Sequence, residues 1–273
     1  MRAEERDDLE QLIEYVLEKP KYSEIDSGLI RMIAKDELTK GRKPKDTQKA
    51  VLSKLHQVGS AYFAQKQDHS GWEEMLTTLP NDIHSPEVKD FCREVMETHF
   101  STDERLPILE DFYQTILSTI QPIPSILDLA CGLNPLALAW MPVEKNVQYS
   151  GCDIFNDMTD FLNAFGAHCK LNARFHTCNL LDAHFEGHAK IAFLLKTIPC
   201  LEQVEKGFAA HLLSQIPADY LLISYPISSL SGRSKGMRET YSEQFIQLMT
   251  PLGWHYERFE FSTELAFLVE KPT

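Results

Sequence analysis

The sequence predicts an α/β protein in which a mostly parallel sheet, with helices on both faces, follows an all-helical amino-terminal segment. Three observations carry this. Residues 8–97 place apolar side chains at helical spacing and show little strand-like alternation. From about residue 100 onward, helical stretches alternate with short apolar strands, the pattern of βα units. The last two strand candidates are separated only by Ser262 and Thr263, which leaves no room for a helical crossover and implies an antiparallel hairpin. The change of pattern divides the chain into residues 1–97 and 98–273, and 273 residues are enough for both parts to bury a core.

In the first part, the strings LEQLIEYVLEK, GLIRMIAKDELTK, DTQKAVLSKLHQVGSAYF and SPEVKDFCREVMETHF read as helices. The turn-forming runs KPKYSEIDSG, GRKPKD and LPNDIHSP separate them, and Asp46 and Ser85 are candidate amino-terminal caps. In the second part the strands are SILDLA, VQYSGCDI, RFHTCNL, KIAFLLK, DYLLISYPI, WHYERFEF and ELAFLVEK. Five αβ steps closed by a hairpin describe the Rossmann-like sheet of a class I methyltransferase better than that of a dehydrogenase.

Composition narrows the function classes. Hydrophobic residues make up 43% and charged residues 25%, as in ordinary globular proteins. The start MRAEERDDLE is too charged for a signal peptide, and no apolar run is long enough to span a bilayer, so a cytoplasmic protein without a membrane partner is expected. Six cysteines without a C-x-x-C pair read as reduced structural thiols. His184 and His188 stand at i,i+4, but Gly187 weakens a helix there and no third ligand is evident, so no metal site is predicted. A net charge of −13 argues against indiscriminate nucleic-acid binding, because phosphate is repelled by an acidic surface. Any RNA contact needs a local basic patch. Residues 19–56 supply one, with ten basic against five acidic side chains, including Lys21, Arg31, Arg42, Lys43, Lys45, Lys49 and Lys54. Without further information, such a run is more often a solvated helix face.

The stretch ILDLACGLNPLALAW, residues 126–140, runs from a strand through a turn into a helix-like apolar segment. Gly132 lets the backbone approach a ligand, while the absence of G-x-G-x-x-G removes the usual pyrophosphate cradle. Asp153 lies 21 residues further on, at the end of the second strand, where a carboxylate can accept both ribose hydroxyl protons. The pair points to a nucleoside ligand without phosphates, and S-adenosylmethionine fits; a generic turn plus a surface Asp is the competing reading.

Six ordered blocks, STDERLPILEDFY, LDLACGLNPLAL, GCDI, LLKTIPCLE, SYPISSLSGRSKGM and STELAFLV, together resemble the aminoglycoside-resistance methyltransferases that modify a guanine N7 in the decoding site of 16S ribosomal RNA. The runs KPKYSEIDSGLIRMI and KPKDTQKAVLSKLHQVGSAY are similar to that family's helical extension. The resemblance implies S-adenosylmethionine as cofactor and 16S rRNA within the 30S subunit as partner, with a single chain acting alone. It assigns Arg105 to the cofactor's methionine carboxylate, a task for which a bidentate guanidinium is suited. Ala130, Gly132, Asp153 and Ile154 fall in the cofactor blocks. Asn179 stands where the family usually has Asp, against adenine; a cap or turn role is the alternative. Leu180 and Leu195 are apolar walls for adenine, or simply core.

Lys196 ends an apolar strand and would put a cation at the ligand edge of the sheet. It reads as a contact to the target nucleotide or cofactor, since guanine N7 needs no base, or as a side chain that snorkels to solvent. Tyr225 stands where the family commonly has Phe and would either stack on an extruded base or pack the sheet edge. Arg233, Lys235 and Met237 lie on a Gly/Ser-rich stretch that the resemblance assigns to RNA. Two other classes remain open at this point: a small-molecule methyltransferase with a helical lid, and a noncatalytic ribosome-binding protein.

Overall fold

Apolar side chains on one face of each amino-terminal helix drive the first layer. In a computed structural model describing residues 3–59, 67–227 and 236–272, the chain begins with α1 (Ala3–Leu17), α2 (Ser27–Thr39), α3 (Pro44–Val58), α4 (His69–Leu76) and α5 (Pro86–Met96). Ser85 caps α5 as expected, accepting from the Val88 N–H at 3.2 Å. Asp46 does not cap α3. Lys43 holds that position because Pro44, with its fixed φ, takes the first helical place, and this leaves Asp46 inside the first turn, near the positive end of the helix dipole. The short α4, interrupted by Gly71, escaped the periodicity reading; the Asp68 carboxylate caps it through the Gly71 N–H.

The rest alternates strand with helix as predicted except at two steps, after the first and the third strand, where 3-10 segments and no α-helix make the connection. The single-turn α6 (Phe100–Asp103) and α7 (Leu109–Leu117) lead into β1 (Ser125–Leu129) and β2 (Gln148–Asp153). Then come α8 (Asn156–His168), β3 (Ala173–Thr177), β4 (Ala189–Leu195), α9 (Ile198–Val204), α10 (Phe208–Gln215) and β5 (Ala218–Pro226). The chain closes with α11 (Met237–Met249), β6 (His255–Glu260) and β7 (Glu264–Glu270). The helix-like run after β1 is a 3-10 segment, Asn134–Trp140, and it is buried throughout.

The seven strands order as β3-β2-β1-β4-β5-β7-β6. The first five are parallel, while β7 runs antiparallel to β5 and pairs with β6 as the expected hairpin. Strand order therefore reverses between β1 and β4, which opens a crevice beyond their carboxyl ends. One apolar layer, including Leu129, Leu194, Leu221, Phe245 and Phe267, covers one face of the sheet. The other layer joins the sheet to the amino-terminal helices: Ile30, Val51, Phe91 and Phe161 share one continuous core. A backbone bridge between Ile25 and Phe155, with the Asp26 N–H donating to the Ile154 carbonyl at 2.8 Å, fastens the helical part beside the end of β2.

Candidate functional site

Two non-glycine residues with positive φ mark the crevice. Ala130, just beyond β1, has φ 54°, and Lys196, just beyond β4, has φ 59°; Gly132 follows at 50°. Left-handed conformations cost non-glycine residues about 1–2 kcal/mol and persist only where the surroundings impose them. Here the imposing contacts are visible: the Lys196 N–H donates to the Ser224 carbonyl, and the Cys131 N–H to that of Cys152 at 2.9 Å. At Gly132 a Cβ would come within 3.2 Å of the His99 ring, so only glycine leaves that ring in place.

Around these turns lies a cleft lined by Ala130, Gly132, Asp153, Ile154, Leu195 and Lys196, together with His99 and, from the end of α3, Val58 and Gly59. Six of the sequence-predicted residues thus meet in one place. The Asp153 carboxylate accepts the Gly132 N–H at 2.8 Å and the Ile154 N–H at 2.7 Å. The Phe155 N–H also bears on this carboxylate, which still has acceptor capacity for a ligand hydroxyl. Burial pushes the Asp153 carboxyl up to about 6, against the opposing pull of those backbone donors. Burial, reinforced by the charges of Lys196 and Arg105, pushes the His99 imidazole down to about 3, so the ring is neutral at physiological pH.

Arg105 is 1% exposed and sits behind the cleft. Its guanidinium makes a bidentate pair with Glu264, at 2.7 and 3.0 Å, and donates to the Asn134 side-chain oxygen at 2.9 Å. Asn134 in turn donates to Asp128 at 2.8 Å, and Tyr149 donates to the same carboxylate at 2.6 Å. A chain of buried hydrogen bonds therefore ties the segment just after α6, the turn after β1 and the start of β7 together. Burial alone would raise the Glu264 carboxyl, but the Arg105 and Lys196 charges outweigh it and hold it below its ordinary value. Lys196, 4% exposed, donates to Glu104 at 2.6 Å and to the Ser101 carbonyl at 3.0 Å, with Glu264 3.6 Å away. It neither snorkels nor stands unpaired.

Other predicted residues fall elsewhere. The Asn179 side chain accepts the Leu181 N–H at 3.1 Å and caps a 3-10 turn, the cap role that competed with adenine contact. Leu180 is buried in the apolar layer. Tyr225, 1% exposed, stacks on Tyr241 at 5.1 Å between ring centroids and meets Phe245 and Phe267 edge-on, so its ring packs the sheet edge and is closed to an incoming base. Met237 is half-buried at the start of α11. Arg233 and Lys235 lie outside the described residues.

The basic segment is partly neutralised. Arg31 pairs with Glu10 at 2.6 Å, Lys54 with Asp36 at 2.9 Å, and Arg42 with Glu37. Lys21 is in contact with His56 at 3.1 Å. Lys43, Lys45 and Lys49 are exposed at the start of α3 and have no ion-pair partner among the described residues. Sequence reasoning missed Asp128, Asn134, Tyr149, His99 and Glu264; an acidic residue opening the otherwise apolar β7 was the visible signal for the last.

A 3-2-1-4-5-7-6 sheet with a carboxylate at the end of β2 facing a glycine turn after β1 defines a class I methyltransferase fold. Within that class, the family described as ribosomal RNA methyltransferase (FmrO) matches residues 19–268, and the chain belongs to it. A 16S rRNA (guanine(1405)-N(7))-methyltransferase of Micromonospora rosea is 28% identical over 270 residues, covering 97% of both chains. One of the same description from Serratia marcescens is 29% identical over 257 residues, covering 94% of this chain and 96% of its own. The crystal structure of the 16S rRNA methyltransferase RmtF in complex with S-adenosyl-L-homocysteine superposes with a TM-score of 0.79, at 28% identity and over 100% of both chains.

Proposed function

We propose that this protein transfers a methyl group from S-adenosylmethionine to a guanine N7 in the decoding site of 16S rRNA within the 30S subunit, acting in the cytoplasm as a single chain and protecting the site from aminoglycosides. The observation that carries the proposal is the Asp153 carboxylate, fixed by two backbone N–H donors opposite Gly132 in a cleft walled by Ala130, Ile154 and Leu195. That donor set fits a nucleoside: hydroxyl acceptors on one side, apolar walls on the other, and no phosphate cradle. When bound, S-adenosylmethionine supplies an electrophilic methyl group on a sulfonium sulfur.

The chain's own residues bind and orient. Asp153 accepts the ribose hydroxyl protons, and Ile154 and Leu195 exclude water around the base. Lys196, paired with Glu104 and close to Glu264, lines the cleft and fixes the shape of the turn beyond β4. Arg105 holds the turn after β1 through Asn134, and so shapes the cofactor site from behind. Guanine N7 carries a free lone pair, so no side chain need remove a proton, and alignment is the main task.

The helical part, 1–97, is the docking element in this reading. Thr47, Val51 and Leu55 face the core, which leaves Lys45 and Lys49 on the outer face of α3. The helix ends at Val58, on the cleft, which places Lys45 and Lys49 about 20 and 14 Å from the site along its axis. A phosphate-binding surface at that distance, with the other half of the contact supplied by Arg233 and Lys235, suits a folded RNA rather than a small metabolite. No helix among the described residues is long and apolar enough to cross a membrane. Incubation with S-adenosylmethionine labelled in its methyl group should label 30S subunits; label confined to small molecules would overturn the assignment.

A further inference from the structure

In this sheet the connection from β3 to β4 contains no crossover helix. Residues 178–188 carry only the 3-10 turn Leu180–Asp182 before β4 begins. The outer halves of β1, β2 and β3 are therefore not roofed by a helix on that face. A groove remains there, lined by Leu127, Leu129, Cys152, His176, Cys178 and His184.

The polar members of this groove are placed by the strand ladder. Cys152 and His176 are direct register partners across the β2–β3 pair. Cys178 follows His176 by two residues and so faces the same side, and its N–H donates to the Asp153 carbonyl at 2.8 Å, extending the ladder. Side chains alternate along β2, so Cys152 points away from the face that carries the Asp153 carboxylate. One ligand atom from each of Cys152, His176 and Cys178 lies within 4.8 Å of the others. All six cysteines are free thiols.

We propose that Cys152, His176 and Cys178 bind one Zn²⁺ ion, with the fourth position left to water or to His184, which lines the same groove outside the three-residue cluster. The three clustered donors are two sulfurs and one imidazole, ligand types that zinc prefers, and a fourth donor completes a tetrahedron. Tetrahedral coordination at about 2.3 Å per Zn–S bond places two sulfurs about 3.8 Å apart, a separation inside the 4.8 Å within which the three ligand atoms lie. Binding displaces the two thiol protons to solvent and leaves both sulfurs as thiolates. Cys152 is buried while His176 and His184 are exposed, so the ion enters from the histidine side. The role that follows is structural: the ion fastens the 178–188 connection, which includes Asn179, to the edge of the sheet. The site is independent of the cofactor assignment, since it lies on the other face.

Cobalt is the probe. The full-length protein, treated with chelator and kept reduced, is titrated with Co²⁺ and then challenged with Zn²⁺. One equivalent of Co²⁺ should give the intense visible bands of tetrahedral cobalt and a near-ultraviolet thiolate charge-transfer band, both abolished by Zn²⁺. Cys178→Ser should lose about half of the charge-transfer intensity. His176→Asn, at an exposed position, should leave the far-ultraviolet circular dichroism unchanged. Each should weaken Zn²⁺ binding by at least about 100-fold, because losing a ligand costs more than losing a ligand's own partner. Cys92→Ala, elsewhere in the core, should bind as wild type. Absence of the cobalt bands in the folded wild type, an unchanged spectrum in Cys178→Ser or His176→Asn, or a Cys152–Cys178 disulfide in place of metal uptake would each overturn the site.

Discussion

Asp153 is the residue on which the cofactor reading turns. Replacing it with alanine removes the acceptor that Gly132 and Ile154 hold in place. The loss of one charged hydrogen-bond acceptor corresponds to about 1.5–3 kcal/mol, so calorimetry should show S-adenosylmethionine binding about 10- to 150-fold more weakly. Unchanged affinity would remove the residue from the site. His99 offers a pH test. Its imidazole is held down to about 3 by burial and by the neighbouring cations, whereas the unfolded chain titrates it near 6.5. Below that value the unfolded state binds a proton that the folded state refuses. Stability from this residue is thus fully present above pH 6.5 and falls by about 1.4 kcal/mol per pH unit on acidification towards 3. Denaturant titrations of wild type and His99→Asn should diverge in that direction between pH 6.5 and 4, the wild type losing stability faster. Asp153, Gly132 and Lys196 were legible in the sequence because each closes an apolar strand or sits in its turn. The buried partners of Arg105 were not, because Glu264 is 159 residues away and local pattern carries no information about such pairs.

At the scale of elements, the strands and their hairpin could be read because period-two alternation and a two-residue link are local signals. The 3-10 form of residues 134–140 could not, since an apolar run does not distinguish it from an α-helix. The start of β7 is stitched to the segment just after α6 by the Arg105–Glu264 pair, which is 1% and 0% exposed. Glu264→Ala leaves a buried guanidinium without its counter-charge and should cost about 3–5 kcal/mol of unfolding free energy, read by denaturant titration. A cost below 1 kcal/mol would mean that the pair is replaceable by water. The outer face of α3 has its own test. Lys43, Lys45 and Lys49 changed together to Glu should leave cofactor affinity intact and weaken 30S binding. The slope of log affinity against log salt should fall by about 2–3 if each lysine meets one phosphate. Wild-type binding and slope in the triple variant would reduce this face to a solvated one.

The whole molecule combines a net charge of −13 with one basic segment. Such a division repels RNA nearly everywhere and attracts it at one face, which favours a folded target over an arbitrary strand. The helical part shares its core with the sheet, and Ile25 pairs with Phe155 beside the cleft. Charge reversal is therefore a cleaner probe of docking than deletion, which would strip the apolar layer from the catalytic part. The central claim is the atom that receives the methyl group. N7-methylguanine is open to chemical strand scission, so 30S subunits incubated with protein and S-adenosylmethionine, then cleaved and mapped by primer extension, report reaction and position together. A single new stop at one guanine of the 16S decoding site, absent when Asp153 is alanine, is the expected result. No stop, or a methyl group found on a different atom or outside the decoding site, would contradict the assignment.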